Sequence, residues 1–167
     1  DLLKAEEGDR PKLKKLYKAW VQLKMGLNEF ESRAPNLPEG ISEGAFSLEF
    51  ECPRVLKVRG TPSSYDCYNP KTNERIQIKA TTIRWDLTSF GPTSVWDVIY
   101  LLDFYRDGNF DGTYDVYKIP NELVYNHQVS KTQTFRDQQE QGRRPRFSIK
   151  RSIIEAHGIK PTGTYRI

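Results

Sequence analysis

Immediately after Pro11, apolar residues recur at helical spacing. Leu13, Leu16, Tyr17, Trp20, Leu23 and Leu27 share one face and predict an amphipathic helix. Pro35-Asn36-Leu37-Pro38-Glu39-Gly40 then reads as a loop, and Ser42 as the N-cap of a short helix running to about Glu51 before Pro53. Phe46, Leu48 and Phe50 alternate as a strand would, so that segment also admits an extended reading. Val55 to Arg59, Ser63 to Tyr68 and Glu74 to Ala80 carry β-type residues, with Asn69-Pro70-Lys71-Thr72-Asn73 as the turn between the last two. Ser94 with Asp97 three positions on resembles a capping box and predicts a helix to about Arg106. Asp107 to Gly112 is a turn, Tyr114 to Ile119 a strand, and Pro120 opens a helical turn. Phe147 to Ala156 suits either strand or helix, and residues 1–10 read as a charged, frayed end. The mixture predicts a single α+β (α/β-like) domain over residues 1–167, with a mixed central sheet.

Composition narrows the class. Aromatic residues make up 12% of the chain, enough to build a core and to argue against disorder. The longest apolar run, Val98-Ile99-Tyr100-Leu101-Leu102, is far too short to span a bilayer, which needs roughly 20 residues, and no signal-peptide pattern opens the chain. Two isolated cysteines form neither a disulfide framework nor a zinc motif, so a cytoplasmic setting with no membrane is expected. Asp1, with no Met before it, points to a trimmed N-terminus. A net charge of +4 says little. Its placement says more: Arg143, Arg144, Arg146, Lys150 and Arg151 crowd near the C-terminus, while Asp97, Asp103, Asp107, Asp111 and Asp115 make the middle acidic. One surface facing a polyanion would produce this, and so would a solvated basic face.

Candidate chemistry sits in the hairpin. Residues two apart on a strand share a face, so Gln77 and Lys79 point one way and Ile76, Ile78 and Ala80 the other. A hairpin folding symmetrically about Lys71-Thr72 sets Asp66 opposite Gln77, gathering a carboxylate, an amide and an ammonium. Such polar faces are common on ribbons, and spacing alone carries little weight. The donor types carry more. A hard cation such as Mg²⁺ takes oxygen ligands, here the Asp66 carboxylate, the Gln77 amide oxygen and the Ile78 main-chain carbonyl. Lys79 beside them suits hydrolysis of a phosphodiester by in-line attack of water. Asp107 to Gly112 mimics the start of a calcium loop, but Lys118 stands where the bidentate Glu belongs, so an ordinary turn is expected.

Asp66 with Gln77-Ile78-Lys79 resembles the PD-(D/E)XK nuclease motif, with Gln in place of the second acid. Longer phrases resemble small type II restriction endonucleases that cut GCNGC sequences. They are Asn36-Leu37-Pro38-Glu39-Gly40-Ile41-Ser42-Glu43, Asp86-Leu87-Thr88-Ser89-Phe90-Gly91-Pro92, Asp115-Val116-Tyr117-Lys118-Ile119-Pro120-Asn121, and Gln138-Gln139-Glu140-Gln141 with Arg143-Arg144-Pro145-Arg146. The resemblance implies a restriction-endonuclease-like core, with helices flanking a mixed sheet. It implies a homodimer that uses Mg²⁺, needs no small-molecule cofactor, and cuts double-stranded DNA to leave 5′-phosphate and 3′-hydroxyl ends. Some relatives require 5-methylcytosine. Glu43 stands where the superfamily often supplies a further metal ligand. The Gln77 replacement removes one negative charge and leaves two other readings open, a silent DNA-binding module and a repair nickase.

For DNA contact, Arg143, Arg144 and Arg146 are candidates for guanine edges or phosphates. The segment after the hairpin strand offers Arg84, Trp85, Asp86, Thr88, Ser89 and Thr93, with Trp85 either a wedge or buried under the loop. Lys131, Gln133 and Gln138 are lesser candidates.

Overall fold

A computed structural model describes residues 1–167. In chain order the elements are β1 (Leu2–Leu3), a 3₁₀ turn (Glu7–Asp9), α1 (Arg10–Glu29), α2 (Glu39–Phe50), β2 (Arg54–Val55), β3 (Lys57–Val58), β4 (Thr61–Pro62), β5 (Cys67–Asn69) and β6 (Glu74–Thr81). There follow β7 (Thr88–Ser89), β8 (Val98–Asp103), a second 3₁₀ turn (Arg106–Gly108), β9 (Thr113–Ile119), α3 (Asn121–Tyr125), α4 (Phe135–Glu140), β10 (Arg146–Phe147), a π-helical turn α5 (Lys150–Glu155) and β11 (Gly163–Arg166). Seven strands form one sheet in the order β1-β2-β5-β6-β8-β9-β11. Only β6 and β8 run parallel; the other neighbours are antiparallel. Two small ribbons, β3-β4 and β7-β10, stand apart. The α+β class with a mixed sheet flanked by helices is therefore what the chain adopts. No helix is long and apolar enough to cross a membrane.

Both faces of the sheet are covered, and the strand period divides the core in two. Ile76, Ile78, Val98 and Leu102 face α1 and α2, meeting Leu13, Tyr17, Trp20, Ile41 and Phe46. Ile99, Leu101 and Ile119 face the other way, onto Phe90, Trp96, Phe135, Phe147 and Ile153. The stretch expected as a helix over residues 94–106 is in fact β8, a central strand. A strand buried on both faces needs apolar residues at every position and loses the period-2 signature, so periodicity cannot separate it from helix. Asp97 does not cap anything; its carboxylate takes the Arg75 main-chain N–H at 2.7 Å and the Arg75 guanidinium at 2.9 and 3.0 Å.

Other elements shift by less. α2 begins at Glu39, directly after Pro38, which places Glu39 where a carboxylate favours the helix N-terminus. Ser42 is therefore inside the helix, its hydroxyl donating weakly to the Glu39 carbonyl at 3.4 Å, and is not the N-cap. α2 is buried from Ile41 through Ser47. Gly44 permits this, since a Cβ there would lie 3.0 Å from the Leu13 side chain of α1. The N-terminal residues expected to fray instead pair β1 with β2. The segment 147–156 resolves into both readings, the strand β10 and the helical turn α5. Besides the two-residue strands β4 and β7, two elements escaped the pattern. One is β11; the other is α4, whose Thr134–Asp137 capping box was a readable signal.

Asp86 is the fastening between the β7 loop and the C-terminal helix. Its buried carboxylate accepts from the Ile149 and Lys150 main-chain N–H groups at 2.9 Å each, from Ser148 Oγ at 3.0 Å and from Thr88 Oγ1 at 2.5 Å. It is thus a helix cap buried in the fold, its carboxylate already engaged by four donors. Replacing Asp86 by Ala leaves those donors unpaired, and the expected loss is about 3 kcal/mol of unfolding free energy in urea titration.

Candidate active site

The hairpin sets the site by coming apart. β5 and β6 pair in the predicted register, Cys67 with Ile76, Tyr68 with Arg75 and Asn69 with Glu74. Beyond that point the Asp66 main-chain N–H still reaches the Ile76 carbonyl at 2.9 Å, but the Asp66 carbonyl has turned to accept from Val55. The next main-chain N–H on β6, that of Ile78, is consequently free of a ladder partner, and donates to Asp66 Oδ2 at 2.6 Å. That bond holds the carboxylate against the open edge of β6. A cleft of about 490 Å³ lies here, lined by Glu43, Asp66, Gln77, Ile78 and Lys79 together with Glu39 and the β7 residues Thr88 and Ser89. The residues marked in the sequence at the hairpin and on α2 therefore lie in one place.

Each side chain has a defined partner except one. Glu43 Oε2 accepts from Arg54 Nε at 2.8 Å in a largely buried ion pair. Lys79 Nζ donates to the Ser89 carbonyl at 3.0 Å and lies 4.8 Å from the centre of the Phe90 ring. Gln77 is buried, and its Oε1 has no hydrogen-bond partner at all. An orphaned buried carbonyl oxygen costs free energy and calls for an account. Burial pushes the Glu43 carboxyl up to about 7, with the neighbouring Asp66 charge adding to the shift and Arg54 opposing it. Burial also raises Asp66, against the Ile78 N–H and Lys79, and lowers the Lys79 ammonium, against Asp66. Shifts of this kind concentrate where charge is held for a purpose.

Nowhere in the chain do three His, Cys, Asp or Glu side chains close around one point. A cation in this cleft would need the Gln77 amide oxygen, the Ile78 carbonyl and water beside the carboxylates. That donor set is all oxygen, as a hard divalent ion requires, and the unpartnered Gln77 Oε1 is the position such an ion would satisfy. The residues present fit the group.

Sequence reasoning overlooked two members. Arg54 leaves no signal because its role depends on the β2–β5 pairing. Glu39 was readable once α2 is started at the right residue, because Glu39 and Glu43 then stand one turn apart on the same face.

The candidates for DNA contact divide. Thr88, Ser89 and Arg146 line the cleft, Arg146 because β10 pairs antiparallel with β7 and stands opposite Ser89. Arg144 is exposed near Gly91, close enough for its charge to act on Lys79. Arg143 donates to Gln133 Oε1 at 2.6 Å. Gln138 is buried and faces inward, so it is withdrawn as a contact. Trp85 is half-buried and not part of the core, with the Arg151 and Arg84 guanidinium groups 4.9 and 5.5 Å from its ring centre.

Comparison with known proteins adds what geometry does not. The Bsp6I restriction endonuclease family model matches residues 5–156. Type II restriction enzyme Bsp6I from Bacillus sp. strain RFL6 is 37% identical over 167 residues, covering 96% of this chain and 90% of that enzyme. No solved structure matches significantly. A family match over most of the chain, with such identity over nearly all of it, leaves one conclusion: this chain belongs to the Bsp6I restriction endonuclease family.

Proposed function

We propose that this restriction endonuclease cuts both strands of double-stranded DNA from the cleft at the β6 edge, using Mg²⁺ and working as a homodimer. The observation that carries the reading is the convergence of Glu43, Asp66, Gln77 and Lys79 on one cleft in which a buried amide oxygen lacks a partner. Asp66, Gln77 Oε1, the Ile78 carbonyl and Glu43 would hold the ion. When bound, it supplies Lewis-acid polarisation of the scissile phosphate and neutralisation of charge. Lys79, anchored on the Ser89 carbonyl, positions the attacking water and offsets the charge that develops on phosphorus. The water oxygen bonds to phosphorus in line as the bond to the 3′ oxygen breaks, leaving 5′-phosphate and 3′-hydroxyl ends. Arg146 on the cleft wall and exposed Arg144 grip neighbouring phosphates, and Arg84 with Trp85 extends the basic rim. Each chain carries one such cleft, so severing both strands together takes two chains.

The target is a GCNGC-type site, a reading supported by the phrases around Glu43, Asp86 and Arg143. Digesting matched methylated and unmethylated DNAs decides whether a 5-methylcytosine is required. Plasmid incubated with the protein and Mg²⁺, and again with EDTA, tests the reaction itself. Discrete linear fragments that EDTA abolishes are expected; nicked circles alone would favour a nickase, and a gel shift without cutting a silent binder.

Lys79→Ala and Asp66→Ala should each lower cleavage by about 10³-fold while DNA binding persists in gel shift. Ordinary cleavage by either variant would contradict the assignment. Gln77→Glu should stay active and reach half-maximal cleavage at a lower Mg²⁺ concentration; a folded but inactive variant would remove Gln77 from the ion's ligands.

A pH effect follows from the raised Asp66 carboxyl. The unfolded chain ionises this group at a lower pH than the folded one, so its contribution to stability falls as pH rises through the usual carboxylate range. In EDTA, Asp66→Asn is expected to melt above the parent at pH 8, with the gap closing towards pH 4. Excess Mg²⁺ should raise the melting temperature of the parent more than that of the variant.

A further inference from the structure

α1 has two apolar faces and the fold uses only one. Leu13, Tyr17 and Trp20 are buried against α2 and the sheet. Leu16, Leu23 and Phe30 recur every seven residues on the adjoining face and are 46%, 50% and 83% exposed. Half-buried Leu27 continues the stripe, and Ala19 and Gly26 run beside it, with nothing within 4 Å of a Cβ added at Gly26. A stripe of large aliphatic and aromatic groups bordered by small ones suits close approach of a second helix. It does not suit phosphates.

The polar residues on its flank say which helix. Lys15, Lys18 and Glu29 are exposed on the same side of the stripe, with the cations towards the N-terminal end and the anion at the C-terminal end. In two copies of α1 packed parallel, opposite flanks meet, so Lys15, Lys18 and Glu29 of one copy would find no counterpart among those of the other. Packed antiparallel about Leu23, they set Leu16 against Phe30 of the second copy, Leu27 against its Ala19, and Glu29 between its Lys15 and Lys18. Both the apolar and the charged positions are then matched, and in antiparallel pairs it is same-side flanks that meet.

We propose that α1 is the homodimer interface of this protein, two copies packing antiparallel across a two-fold axis through Leu23. The C-terminal end of the stripe, Phe30, is six residues from Asn36 on the rim of the cleft, and Trp20 Nε1 fastens that linker by donating to the Pro35 carbonyl at 3.0 Å. A short segment, fastened at Pro35, thus links the stripe to the rim of the cleft. This inference names the partner surface for the homodimer and rests on α1 alone, so it stands or falls separately from the nuclease reading.

Sedimentation velocity on the full chain without DNA tests it. The parent is expected to be dimeric at about 50 μM, and Leu23→Asp to raise the dissociation constant by about 30-fold or more, with circular dichroism unchanged. Glu29→Lys should weaken the dimer, and combining it with Lys15→Glu and Lys18→Glu should restore it. Leu23→Cys should give a disulfide-linked dimer on a non-reducing gel, both native cysteines being buried. A monomeric parent at that concentration, or a Leu23→Asp variant that dimerises as the parent does, overturns the proposal.

Discussion

One hydrogen bond organises the site: the Ile78 main-chain N–H to Asp66 Oδ2. A strand that leaves its ladder exposes main-chain donors, and each buried one must find another acceptor. β5 leaves β6 after Cys67, and the acceptor at that point is the Asp66 carboxylate. The same departure creates the open edge on which the cleft forms and holds the carboxylate at it. Gln77 and Lys79 follow from the strand period, and Glu43 from α2 lying against the sheet at that edge.

The cleft concentrates charge at some cost to stability. Two partly desolvated carboxylates face each other across it, opposed by Arg54, Lys79 and the Ile78 main-chain N–H. The rest of the fold compensates by rigidity. α2 is wedged between α1 and the sheet, so Glu43 has little room to retreat. Lys79 is tethered to the β7 carbonyl, and β7 is tied through Asp86 to the start of α5. The loop that bounds the cleft thus takes its shape from a helix more than sixty residues further along the chain. Arg146 reaches the cleft by the same route, through the β7–β10 ribbon.

A short linker joins the end of α1 to Asn36 on the cleft lining. Its inner face belongs to the core, and its adjoining stripe faces outward with charges ordered for an antiparallel copy. If two copies pair through this stripe as proposed, the short linker fastened at Pro35 fixes how their clefts are spaced.

Much of this was legible in the chain. The face of α1, the hairpin with its register, and the presence of Asp66, Gln77 and Lys79 at one place follow from local periodicity and turn residues, which act over a few positions; that Asp66 leaves the ladder to meet the Ile78 N–H does not. What only the tertiary structure decided involves distant partners. Residues 98–103 are a strand because both sheet faces cover them, which no local pattern encodes. Arg54 meets Glu43 only through strand pairing. Asp86 turned inward although its residue type favours the surface, since its hydrogen-bond donors came from an element more than sixty residues along the chain. Short-range order resides in the sequence pattern; burial and long-range hydrogen bonding arise only when the segments are brought together.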